Sequence, residues 1–150
     1  MATQILPLES KNILDTGLSL LNVGTATNYC NLFIYAFNRL PVEDRACAVL
    51  FESDKCKVTD GILFKKWYLE IKPNNKDIEL GRFSRGAKKN SAESVLVRPG
   101  CTFTGFDTWD GERGTGAEVH VTSLGNSTRP RHFPFKGMEE RIDAYKCTCE

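Results

Sequence analysis

Nothing in this 150-residue chain approaches the roughly 18 to 20 consecutive apolar residues that cross a bilayer as a helix. A transmembrane helix is therefore excluded from the sequence given. Its first residues also lack the basic-then-apolar order of a secretory leader. In a secreted protein that leader would already be gone, with Met1 a remnant of expression. Net charge is nearly absent: twenty basic against nineteen acidic side chains leave +1 at pH 7. So weak a field cannot support non-specific binding to a polyanion, which sets nucleic acid aside as a partner. Histidine is scarce, with only His120 and His132, and no G-x-S-x-G elbow presents a serine nucleophile. The stretch Gly111 to Gly116, GERGTG, is not followed by the lysine and helix start of a phosphate loop. Asp107, Asp110 and Glu118 could supply a carboxylate pair for glycoside hydrolysis, but any acidic surface offers such pairs. These absences together argue against an enzyme.

Cysteine is abundant instead. Cys30, Cys47, Cys56, Cys101, Cys147 and Cys149 are six in a short chain, an even number that fits disulfides. Zinc is the competing use, but structural zinc sites present two close pairs and here only Cys147-Thr148-Cys149 is close. The two histidines are not spaced as a ligand pair either. Disulfides imply an oxidising compartment, and the order of the cysteines does not choose among their many connectivities. Pairing of Cys30 with the main domain would tie down the N-terminal segment, whereas an unpaired Cys30 would link two chains into a dimer. Asn126-Ser127-Thr128 is an N-glycosylation acceptor pattern, and with the cysteines it points to a secreted, extracellular protein.

Residues 1–44 read as an N-terminal arm that packs on a domain of residues 45–150. Ile13, Leu14, Leu18 and Leu21 line one side of a short helix capped by Ser10 and stopped at Gly24. The dense apolar stretch Tyr29 to Phe37 reads as a buried strand ended before Pro41. After Arg45 the texture becomes short strands separated by turns, the pattern of an all-β sandwich. The strands expected are Cys47 to Ser53, Phe64 to Ile71, Ser94 to Gly100, one opening at Cys101, Ala117 to Ser123 and Asp143 to Cys149. A long polar connection from Leu124 to Gly137 carries a short strand near Phe133 to Phe135. Trp67, Leu69 and Ile71 alternate onto one face, and Trp67 belongs to the core.

These strands repeat. Shifting Ser94 onto Ala144, 144 − 94 = 50, lays KNSAESVLV from Lys89 on EERIDAYKC from Glu139. Each is a polar corner leading into a strand, and two four-strand units result, residues 45–98 and 99–150. In CAVLFESDKC, WYLEI, NSAESVLVRPG and CTFTGFDTWDGERG through ERIDAYKC, the chain resembles the βγ-crystallins. The resemblance implies two Greek-key motifs packed as one β-sandwich over about residues 46–150, with no counterpart for the arm.

The resemblance also implies a calcium motif at each corner: two Asn or Asp, two variable residues, then Ser or Thr followed by Ser. Carried over, it falls on Lys89, Asn90, Ser91, Ala92, Glu93 and Ser94, and on Glu139, Glu140, Arg141, Ile142, Asp143 and Ala144. Calcium takes six to eight oxygens with negative charge to offset its own. Lys89 and Arg141 bring cations instead, and Glu93 replaces a short hydroxyl. The corners are expected to turn the chain, with Asn90 and Ser94 bonding local backbone. Should calcium bind, the ligands would come from Asn90, Glu93, Ser94, Glu139, Glu140 and Asp143, the second corner being the more acidic. No cofactor is required. The expected function is a secreted non-enzymatic structural or binding module whose partner is an extracellular protein or glycan. Trp109 and Phe106 are candidate partner contacts, although a tryptophan in a hairpin more often folds over the sandwich edge. The alternative is a secreted effector of the toxin or protease-inhibitor kind, acting through the hairpin Phe106 to Gly114.

Overall fold

The computed structural model describes residues 29–58, 66–81 and 87–150. The helix expected between Leu6 and Gly24 lies outside these residues. The first described element is a helix, α1 (Tyr29–Arg39), where the apolar density reads as a strand. Spacing explains the difference: Phe33, Ala36, Phe37 and Leu40 are all buried, at i, i+3, i+4 and i+7 of one helical face. Aromatic content is a context-dependent strand signal, and the helical spacing of the buried face overrides it here. A single 3-10 turn, Val42–Asp44, follows.

Eight strands come next among the described residues: β1 (Ala48–Phe51), β2 (Tyr68–Ile71), β3 (Ile78–Glu79), β4 (Ser94–Val97), β5 (Cys101–Trp109), β6 (Gly114–Thr122), β7 (Arg131–Pro134) and β8 (Ala144–Cys149). They form two four-stranded antiparallel sheets, ordered β2-β1-β4-β7 and β3-β8-β5-β6. Each half of the chain keeps its first, second and fourth strands together and sends its third into the other half's sheet. β3 pairs with β8, and β7 with β4. This exchange gives the βγ-crystallin-like Greek-key sandwich that the repeat implies. β3 has only two residues and no apolar run of its own, so periodicity does not reveal it.

Two cores result. Between the sheets lie Ala48, Leu50, Ile71, Val95, Val97, Phe103, Phe135, Ile142 and Tyr145, with Phe103 stacked between Phe135 at 6.0 Å and Tyr145 at 6.4 Å. Trp67 and Leu69 pack against this core from partly buried positions. On the outer face of the first sheet, Val49, Phe51 and Leu96 meet Phe33, Ala36, Phe37 and Leu40 of α1. Phe33 stands edge-on to Phe51 at 5.0 Å. β1 and β4 are thus buried on both faces, which is why AVLF and SVLV are continuously apolar where a half-exposed strand would alternate. β6 has no such cover, and inward Val119 and Val121 alternate with exposed Glu118 and His120.

Every cysteine is paired within the chain. Cys47–Cys147 links the two sheets, Cys101–Cys149 joins paired positions of β5 and β8, and Cys30–Cys56 ties α1 to the loop after β1. Cys30 therefore does not remain over for a bridge between chains. α1, the described helix of the N-terminal segment, is fixed covalently and by packing.

Candidate functional site

The two polar corners face each other across the pseudo-symmetric sandwich. Asn90 and Glu140, equivalent under the shift 140 − 90 = 50, both adopt left-handed backbone, at φ 59° and 58°. Such a conformation is uncommon for residues other than glycine. Each is held by the opposite motif: the Asn90 N–H donates to Ile142 O at 3.1 Å, and the Glu140 N–H donates to Ala92 O at 3.0 Å. A second reciprocal pair runs from the Leu80 N–H to Asp143 O and from the Phe135 N–H to Glu93 O, each at 2.9 Å. Both corners are thus turns clamped from outside, with the third strand of each half anchored on the other half's corner.

Side chains complete the first corner. The Trp67 indole N–H donates to Ser91 Oγ at 2.9 Å, and Ser91 Oγ donates to Lys88 O at 3.0 Å. Trp67 is therefore a half-buried brace as well as a core residue. Ser94, expected to bond local backbone, is fully buried and donates instead to Ser53 O at 2.6 Å, forty-one residues away in sequence. β1 and β4 are neighbours, so the loop after β1 lies closer to Ser94 than its own turn does.

The carboxylates sort into two groups. Glu93 feels Asp54, Glu140 and Glu139, and its carboxyl is raised above the ordinary range by desolvation first and by those like charges next. Asp143 lies near Lys89, Asp107 and Glu79; desolvation raises its carboxyl, and Lys89 offsets part of the rise. Asp143 Oδ1 is buried with no hydrogen-bond partner. Lys89 Nζ pairs with Glu79 at 2.5 Å, and Arg141 pairs with Asp107 at 2.7 Å. Asp107 is held low by hydrogen bonds from Thr108 and Arg141.

Among the described residues, no three carboxylates place oxygens within 4.8 Å of one another. The corner around Asp143 already holds two side-chain cations. Sequence reasoning finds Glu93, Glu139, Glu140 and Asp143 but misses Asp54, Glu79 and Asp107, which reach the corners through strand pairing. No local motif marks them.

The hairpin contacts separate. Phe106 is 9% exposed, and its ring lies so close to Gly114 that a Cβ there would overlap it. Its ring therefore packs within the hairpin. The β-bulge between Phe106 and Thr108 turns the following residues away and leaves Trp109 half-buried. At the tip, Asp110 Oδ1 accepts the N–H groups of Glu112 and Arg113, both at 2.8 Å, and Gly111 takes φ 104°. Asn126 lies exposed in the loop before β7.

His132, on β7, is half-buried, and desolvation holds its imidazolium pKa below the ordinary value of 6.5. In the window between the folded value and about 6.5 the unfolded chain binds a proton that the folded chain does not. Stability therefore falls as pH drops through that window. Urea titrations at pH 7.5 and 5.5 should show this loss, and His132→Gln should flatten it.

No family model matches the chain, and no curated protein does. Among solved structures, a βγ-crystallin domain from Flavobacterium johnsoniae is similar with TM-score 0.48 and 10% identity, over 69% of this chain and 96% of its own. A mutant βγ-crystallin domain from Clostridium beijerinckii gives TM-score 0.45 and 13% identity, over 68% and 97%.

Proposed function

We propose that the chain is a secreted, non-enzymatic structural or binding module of βγ-crystallin type, whose corners are closed by its own cations rather than by calcium. The observation that carries this reading is Lys89: its ammonium pairs with Glu79 and offsets part of the desolvation of the half-buried Asp143 carboxylate. Three disulfides support an extracellular setting. Among the described residues no helix is long and apolar enough to cross a membrane. Two separate surfaces, at opposite ends of the β5–β6 hairpin, are offered to an extracellular protein or glycan: the tip around Trp109 and the loop that carries Asn126.

Calorimetric titration of calcium into the oxidised, metal-stripped protein tests the corner reading. No heat should evolve, and melts in calcium and in chelator should superimpose. Lys89→Asn should cost about 1 kcal/mol or less, because the pair is partly exposed. Micromolar binding with a raised melting temperature would overturn the reading. The effector reading rests on a separate observation, the rigid Asp110-capped tip. Stoichiometric inhibition of a protease, abolished by Asp110→Ala, would favour it.

A further inference from the structure

On the outer face of the first sheet, three elements bring metal-ligating side chains together, with Asp54 near enough to His132 to act on its charge. α1 supplies Cys30, the loop after β1 supplies Cys56, and β7 supplies His132. One ligand atom from each lies within 4.8 Å of the other two. The two sulfurs are bonded to each other in the oxidised chain. His132 Nε2 is buried and has no hydrogen-bond partner, although a buried ring nitrogen normally finds one. His132 is placed there by register. It pairs with Leu96, whose side chain belongs to the outer core, while its neighbour Phe133 packs into the inner one.

We propose that Cys30, Cys56 and His132 form a reductively opened site for a thiophilic divalent ion of the zinc class. Two thiolates and an imidazole select such an ion over calcium or magnesium, which prefer oxygen. Three protein ligands leave a fourth tetrahedral position for water or an outside group. Opening requires a dithiol reductant. It delivers two electrons and two protons to the Cys30–Cys56 bond, which breaks into two thiols while the reductant closes to its cyclic disulfide. The metal then displaces both thiol protons to solvent, and the neutral imidazole donates a lone pair with no proton lost. α1 stays fastened in either state, by a covalent bond when oxidised and by coordination when reduced. The other sulfur cluster, Cys47, Cys101 and Cys149, has no nitrogen ligand, so a response of the His132 ring distinguishes binding at the proposed site from binding there.

Cys30 and Cys149 are half-buried, whereas Cys47 and Cys147 are completely inaccessible, so limiting dithiothreitol should open Cys30–Cys56 and Cys101–Cys149 before Cys47–Cys147. Alkylation and peptide mass spectrometry of one portion identifies the opened bridge. The remainder, freed of reductant under inert gas, is titrated with cobalt(II) as a spectroscopic substitute for zinc. Expected are one cobalt per chain, a thiolate-to-cobalt charge-transfer band that zinc abolishes, and binding at least about tenfold weaker in His132→Gln. The Cys30→Ser/Cys56→Ser double variant should show no band. Ring-proton shifts of His132 in the unsubstituted protein report the nitrogen ligand without relying on any variant. In chains whose Cys30–Cys56 bridge is open, a missing thiolate band or a His132 ring unmoved by cobalt overturns the proposal.

Discussion

Replacing Cys47 and Cys147 together by alanine should lower the unfolding free energy by about 4 kcal/mol. The bridge spans 100 residues, but Cys101–Cys149 shortcuts that loop. The path from Cys47 to Cys101 is 101 − 47 = 54 residues, crosses the second bridge, and returns two residues to Cys147. Loop-closure entropy depends on the logarithm of length, so halving the loop removes only about 0.6 kcal/mol of the effect. Burial of both sulfurs adds a small packing loss in the same direction. Urea unfolding of the oxidised double variant and its parent provides the check. A loss below about 1 kcal/mol would mean that the unfolded chain is already compact enough to hold the two ends together.

Phe103→Ala should cost about 3 to 5 kcal/mol. Phe103 is fully buried on the strand that pairs with both β6 and β8, and its ring is stacked between Phe135 and Tyr145. Removal would leave a cavity bounded by residues of β8 and of the segment after β7, which the Cys47–Cys147 bridge and the corner hydrogen bonds hold in place. Limited collapse puts the cost at the upper end of that range. Phe103→Leu, which fills most of the volume, should recover more than half of the loss in the same denaturation experiment. Equal losses for the two variants would show that ring stacking, not volume, dominates.

The second half of the sandwich is the more legible in sequence. β5, β6 and β8 each show alternation or a clean turn boundary, because one face of that sheet meets solvent and the chemistry of the residues records it. The first half is less direct. Its outer face is covered by α1, so AVLF and SVLV give no alternation, and the covering helix itself reads as a strand by aromatic content. The spacing of Phe33, Ala36, Phe37 and Leu40 is the signal that separates the two. At the corners, the fifty-residue shift identifies both turns and four of their carboxylates. The ion pairs that occupy one corner depend on Glu79 and Asp107. These arrive from β3 and β5 through long-range pairing, which no window of sequence contains. Pairing of the cysteines is illegible for the same reason: it follows from the topology.

The exchange of third strands also has a consequence for synthesis on the ribosome. When β1, β2 and β4 have emerged, the open side of β4 still awaits β7, more than thirty residues downstream in sequence (131 − 97 = 34). Until then the nascent half displays unsatisfied strand hydrogen-bonding groups, a template for the wrong neighbour. α1 emerges before all of them and covers the apolar outer face of β1 and β4, though not that open side. α1 thus shields the early half from grease-to-grease association while leaving its backbone edge vacant for the one strand that belongs there.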